Sequence, residues 1–157
     1  MRFEHLIEIN DPLNPLIEPL SREQVWDGLM YRVDEPTVFL PGLERCVILS
    51  RVADRVEREL YFGQVCIRDT VTFAPLDWVR FESAANAQHA GGRLTIRLEQ
   101  RDALWLGLRF TYETTLSDGA SPGETIQVSE FVKAAYRESD VDTVRIIRLI
   151  AANGRPQ

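Results

Sequence analysis

The sequence predicts an α+β protein in which a curved antiparallel sheet closes on one long C-terminal helix. Three observations lead there. Between Glu44 and Thr115 strand-like alternation recurs in run after run, separated only by short reversals. Such spacing pairs consecutive strands antiparallel and leaves no room for helical crossovers. A further alternating run and two short helical segments precede these strands. Helical spacing then runs unbroken to the C-terminus, which gives the sheet one long amphipathic partner.

The composition suits this class. The chain has 157 residues, 45% hydrophobic and 27% charged, which excludes disordered and collagen-like architectures. A chain of this size buries roughly 70% of its unfolded surface in one core, and no linker or internal repeat divides residues 1–157, so one domain is expected. Lys+Arg 18 against Asp+Glu 24 gives a net charge of −6. That balance argues against nucleic acid as a partner and against docking on an anionic membrane. No run approaches the roughly 20 apolar residues of a membrane span. The N-terminal MRFEHLIEIND lacks the basic and apolar regions of a signal peptide, so a cytoplasmic protein with both thiols, Cys46 and Cys66, free is expected.

Each element has a local cause. Residues 2–9 alternate, with Phe3, His5, Ile7 and Ile9 on one face, until Asp11-Pro12 and Asn14-Pro15 break the strand. Ser21 and Gln24 form a capping box, and Val25, Trp26, Leu29, Met30 and Val33 follow at helical spacing. Pro36 opens a short helical turn that Pro41-Gly42 closes. Strands are expected at Cys46–Leu49, Val56–Phe62 and Val65–Phe73, the last two joined by a two-residue Gly63-Gln64 turn. Three more follow at Trp78–Glu82, around Leu94–Leu98, and over Leu104–Tyr112. After a polar loop from Ser117 to Gly123, a helix carries Val128, Phe131, Val132, Ala135 and Tyr136, then Val144, Ile147 and Ala151. Gly154 is placed to cap it, and Ser139-Asp140 is a candidate kink.

Several stretches in this order resemble the helix-grip superfamily of START domains, birch-pollen-allergen-type proteins and polyketide cyclases, and more narrowly its AtaL-like group. They are Phe3–Asp11 (FEHLIEIND), Arg22-Glu23-Gln24, Pro41–Leu49 (PGLERCVIL), Arg58-Glu59-Leu60 and Phe62-Gly63. Arg68-Asp69-Thr70-Val71, Ala135-Tyr136 and Asp140–Arg148 (DVDTVRIIR) complete the set. The resemblance implies a helix-grip fold: about seven antiparallel strands wrapped around the C-terminal helix, with two short helices after the first strand. It also implies a hydrophobic cavity between sheet and helix, in a superfamily that spans carriers, sensors and cyclases.

The chemistry-bearing residues are few. His5 and His89 stand alone with no second ligand at metal-binding spacing, so neither a metal nor another cofactor is expected. His5 reads as a satisfied strand histidine and His89 as a loop residue. Gly91-Gly92 leads into a strand and offers no helix N-terminus for phosphate. No Gly-x-Ser-x-Gly elbow is present. Cys66 becomes a nucleophile only if Arg68 lowers its pKa, and otherwise packs. Asp69 shares strand phase with Val65, Ile67, Val71 and Phe73, which puts a carboxylate on the face expected to point inward. There it serves either as an acid or base or as the partner of an arginine such as Arg80, Arg97 or Arg109. Tyr136, on the apolar stripe of the last helix, either packs or presents its hydroxyl to a ligand.

The function expected is binding of a small hydrophobic molecule, polyketide- or lipid-like, in a cavity of about 300 Å³ or more. Its walls are expected from Ile67, Val71, Leu106, Leu108 and Phe110 on the sheet. Val128, Phe131, Val132 and Ala135 would face them from the helix, with Phe39 and Leu40 at the entrance. The alternative is a cyclase- or hydratase-type enzyme with Asp69 and Tyr136 as acid and base, acting by orienting its substrate. Trp105, on the sheet face opposite Leu104, Leu106 and Leu108, would mark a homodimer contact if exposed.

Overall fold

Ser21 behaves as its sequence context requires. Its Oγ accepts from the Gln24 backbone N–H at 3.1 Å, and the Gln24 side chain accepts from the Ser21 N–H at 2.9 Å. This reciprocal cap starts α1 (Arg22–Asp34). The computed structural model describes residues 1–86, 91–114 and 124–155, and the side chains of all these except 124–129. His89, the loop expected at 117–123 and the Val128 side chain lie outside them.

The strands are β1 (Arg2–Asn10), β2 (Arg45–Val52), β3 (Arg55–Phe62), β4 (Val65–Ala74), β5 (Trp78–Ser83), β6 (Gly92–Gln100) and β7 (Leu106–Thr114). A short 3-10 turn at Pro36–Val38 follows α1, and α2 spans Glu124–Asn153 as a single helix, with no break at Ser139-Asp140. At about 1.5 Å per residue it is on the order of 45 Å long. Gly154, at φ 80°, donates back to the Ile150 carbonyl at 2.8 Å and ends it.

The strands form one antiparallel sheet in the order β1-β7-β6-β5-β4-β3-β2. β2 to β7 are a meander, each strand beside its predecessor, whereas β1 lies against β7 at the far edge. The chain from β1 to β2 must therefore travel the width of the sheet, and α1 makes that journey across its inner face. Gly63, at φ 58°, supplies the left-handed turn between β3 and β4. The turn sets a register in which Phe62 faces Val65, Leu60 faces Ile67 and Arg58 faces Asp69.

Alternation sends Val56, Val71, Val79, Ile96, Leu108 and Phe110 to the inner face, where all are fully buried. Val25, Leu29 and Val33 of α1 and Ile147 of α2 meet them in one cluster. Burying each such side chain contributes roughly 1.5–3 kcal/mol before entropy. The two helices touch at Gly28, where a Cβ would sit 2.7 Å from Ile147 Cγ1.

Trp105 departs from expectation. It does lie on the outer face, but it is only 7% exposed and forms no open patch. Gly107 leaves a slot that the indole fills, since a Cβ there would meet the ring at 2.6 Å. Trp105 Nε1 donates to Glu8 at 2.9 Å, and the Arg101 guanidinium covers the ring 4.0 Å from its centroid. Leu104 falls outside β7 and is exposed.

Candidate functional site

Inward-facing side chains of β3, β4, β5, β6 and β7 leave a cavity of about 230 Å³ against α1 and α2. Leu60, Phe62, Ile67, Phe81 and Leu94 form its apolar floor. Leu40, just after the 3-10 turn, and Tyr136 from α2 close its sides. The volume falls short of the roughly 300 Å³ at which drug-sized ligand pockets begin. It exceeds the ~150 Å³ that holds benzene in an apolar cavity. The space formed by the described residues thus has room for one or two fused rings.

Polar groups converge on this small space. Arg58 and Asp69, opposite each other on β3 and β4, form a bidentate ion pair, with Nε to Oδ1 at 2.9 Å and Nη2 to Oδ2 at 2.5 Å. Arg58 Nη1 donates to the Val33 carbonyl at 2.8 Å, which ties the pair to the end of α1. Both residues are buried. The partner of Asp69 is therefore Arg58 and none of Arg80, Arg97 or Arg109. Arg80 donates to Thr95, Arg97 reaches Asp77 and Arg109 holds Glu99, all on the outer face.

A second constellation comes from α2. Asp140 is 0% exposed, accepts from the Tyr112 hydroxyl and meets His5 Nε2 at 2.5 Å. His5 stacks between Phe3 and Phe110, with centroids 5.4 Å and 5.5 Å away. Burial pushes the Asp140 pKa above the usual carboxylate value, against the opposing pull of its bonds to Tyr112 and His5. Burial and then the Asp140 charge raise Tyr112 in turn. Tyr136 lies flat on Tyr112, with centroids 3.8 Å apart and planes within 4°. Its pKa is raised first by burial and then by Asp140.

Arg32, on the last turn of α1, is 5% exposed and lines the cavity. Its guanidinium sits 4.8 Å from the Phe81 ring centroid, and its Nε has no hydrogen-bond acceptor among the described residues. Burial, together with the nearby positive charge of Arg58, lowers its pKa.

The residues expected at the site divide into groups. Ile67, Asp69, Leu40 and Tyr136 line the cavity. Val71, Leu106, Leu108, Phe110 and Phe39 are buried in the core beyond its walls. Phe131, 77% exposed, and Ala135 point outward, and Val132 is half-buried. The helix instead turns Tyr136, Asp140, Thr143 and Ile147 inward, a row with i, i+4 and i+7 spacing that contains two polar residues. Arg32, Arg58, Tyr112 and Asp140 escaped the sequence reading, although each had a signal. Arg58 is in phase with Val56, Leu60 and Phe62, and Arg32 follows Val25, Gly28 and Leu29 at helical spacing.

Neither cysteine reaches this site, and both are free thiols. Burial raises the Cys46 thiol pKa. Among the described residues no three metal-ligating side chains converge, and no helix is long and apolar enough to cross a membrane. A larger surface hollow of about 570 Å³ lies between Leu16–Leu20 and the end of α2. Its arginine, Arg148, is already committed to the carbonyls of Ile9 and Glu18.

A seven-stranded antiparallel sheet wrapped on a C-terminal helix, with a cavity between them, defines a helix-grip protein. The chain belongs to the AtaL family, described as acetylaranotin biosynthesis cluster protein L, which matches residues 7–154. No curated protein matches it in sequence. Among solved structures, it is similar to the di-domain aromatase/cyclase StfQ from the steffimycin biosynthetic pathway, with a TM-score of 0.67 and 14% identity. That match covers 96% of this chain but 50% of StfQ, so the chain spans half of the di-domain protein. The ZhuI aromatase/cyclase from Streptomyces sp. R1128 matches with a TM-score of 0.63 and 17% identity, covering 97% of this chain and 93% of ZhuI. Ara h 8.0201 matches with a TM-score of 0.59 and 12% identity, over 94% and 97% of the two chains. At these identities the likeness establishes the fold.

Proposed function

We propose that the chain binds a compact, flat, largely apolar molecule of aromatic polyketide type in the cavity between sheet and α2. The observation that carries this reading is the parallel stack of Tyr136 on Tyr112 at the wall of a space floored by Leu60, Phe62, Ile67, Phe81 and Leu94. Such a wall offers an aromatic face to a planar ring, and burial of that ring supplies the main driving force. The cavity volume among the described residues accommodates about two rings. The family description, drawn from a biosynthetic cluster, and the aromatase/cyclase neighbours point to the same ligand class.

Native mass spectrometry of freshly purified protein tests it. A co-purifying molecule of one or two rings is expected, or failing that a thermal upshift with 2-naphthoate or 2-naphthamide. A bare mass together with no shift from either probe sinks the proposal.

A second reading, proton transfer on a bound polyketide-like substrate, is favoured by one observation. The Tyr136 hydroxyl borders the cavity and makes no hydrogen bond among the described residues. In this reading Tyr136 exchanges the proton. Asp69, whose two oxygens are both held by Arg58, contributes a neutralised polar pair to the wall beside the substrate. Turnover of an aromatic precursor that Tyr136→Phe abolishes without loss of binding would support it, and equal turnover by the variant would end it.

A further inference from the structure

We propose that the ligand of this cavity is an anion, a flat molecule carrying a carboxylate or an equally acidic enol or phenol oxygen, and that Arg32 is the residue that binds it. The proposal deepens the binding function above and rests on it.

Arg58, Asp69 and Asp140 are already paired. Arg58 uses all three of its nitrogens, two on Asp69 and one on the Val33 carbonyl. Asp69 has both oxygens on Arg58, and Asp140 has one oxygen on Tyr112 and the other on His5. Arg32 is the exception. It is as deeply buried as these groups, yet no carboxylate among the described residues pairs with it and its Nε is unsatisfied. The Phe81 face 4.8 Å away attracts the cation but accepts no hydrogen bond in the guanidinium plane.

A guanidinium is charged at every physiological pH, so burial cannot be relieved by losing a proton. A buried cation without a counterion is unfavourable unless something supplies both opposite charge and acceptors. Arg58 adds to the positive potential there, while Asp69 and Asp140, whose oxygens are bonded elsewhere, act on Arg32 only through space. What the site lacks is a planar anion with two acceptor positions, the geometry that matches the guanidinium fork. Arg32 shares the cavity lining with Phe81, Tyr112 and Tyr136, so a ring against the aromatic walls can carry its anionic oxygen to Arg32.

The test uses two probes of nearly the same shape, 2-naphthoate and 2-naphthamide, titrated calorimetrically into the full chain at pH 7. The unmodified protein is expected to bind 2-naphthoate about tenfold or more tighter than the amide, the usual effect of a charged over a neutral hydrogen bond. Arg32→Met is expected to bring the two probes to equal affinity. Equal affinity in the unmodified protein, or a preference that survives Arg32→Met, overturns the anion assignment and leaves the cavity's binding role intact. Binding of neither probe overturns both. The comparison on the unmodified chain needs no variant, so a misfolded Arg32→Met would not shelter the proposal.

Discussion

His5 on β1 and Asp140 on α2 meet at 2.5 Å across 135 residues of sequence, and the Tyr112 hydroxyl of β7 donates to the same carboxylate. The two contacts fasten the middle of the long helix to the edge of the sheet where the N-terminal strand was added. Tyr136 stands one helical turn before Asp140, so the same anchor sets the aromatic stack that walls the cavity.

Burial makes Asp140 hold its proton more tightly in the fold than in the unfolded chain. Its contribution to stability is therefore full below the unfolded value, about 3.9, and is lost as pH rises through the folded one. Asp140→Asn keeps the shape without the ionisation. Its stability relative to the parent should climb as pH rises above about 4. His5, Tyr112 and the charge of Arg32 face this group and are unchanged in the variant. Urea midpoints across that range would read the trend, and a constant difference would show that Asp140 ionises freely in the fold.

Arg58 and Asp69 test the cost of separating a buried pair. Asp69→Asn leaves the Arg58 charge uncompensated and should destabilise by about 3–5 kcal/mol. Replacing both, as Arg58→Met with Asp69→Leu, should recover most of that loss because no charge remains to be desolvated. Chemical denaturation of the two variants decides it. A double variant as unstable as the single one would mean that the Arg58 bond to Val33, not the ion pair, holds this corner.

Tyr136 separates hydroxyl from ring. Its hydroxyl has no partner among the described residues, so Tyr136→Phe should alter stability by less than about 0.5 kcal/mol. Tyr136→Leu loses the stack on Tyr112 and should weaken binding of a flat aromatic probe by about 0.5–1.5 kcal/mol. Probe titration of both variants checks the order, and equal binding by phenylalanine and leucine variants would remove the stack from the ligand's environment.

Gly28 reports on how closely α1 and α2 pack. A methyl group there collides with Ile147, so Gly28→Ala should cost about 1–3 kcal/mol despite its better helix propensity. Adding Ile147→Ala frees the space, and the two losses should sum to less than additivity predicts. Thermal denaturation of the single and double variants measures the coupling.

The elements themselves were open to reading because each has a local cause. The Ser21 box, the Gly63-Gln64 turn and the period-two runs depend on residues within a few positions of one another. The site was harder. Counting back from the Gly63-Gln64 turn brings Arg58 opposite Asp69, but phase reading treats an arginine among Val56, Leu60 and Phe62 as an interruption. On α2 the search for apolar residues favoured Phe131 and Ala135 over the row containing Asp140 and Thr143.

The order of elements, the inward phase of each strand, the acidic charge and the placement of Asp69 and Tyr136 where they can meet a cavity are all legible in the residues alone. These follow from local alternation and turn chemistry, which need no knowledge of distant neighbours. The fold in three dimensions settles that Asp140 takes Tyr112 and His5, that Asp69 is neutralised by Arg58, and that Arg32 has no carboxylate partner among the described residues. Those outcomes depend on β1 lying beside β7 and on α1 and α2 crossing the same sheet face. Once water is excluded from that space, each polar group must take whichever partner the topology brings within reach.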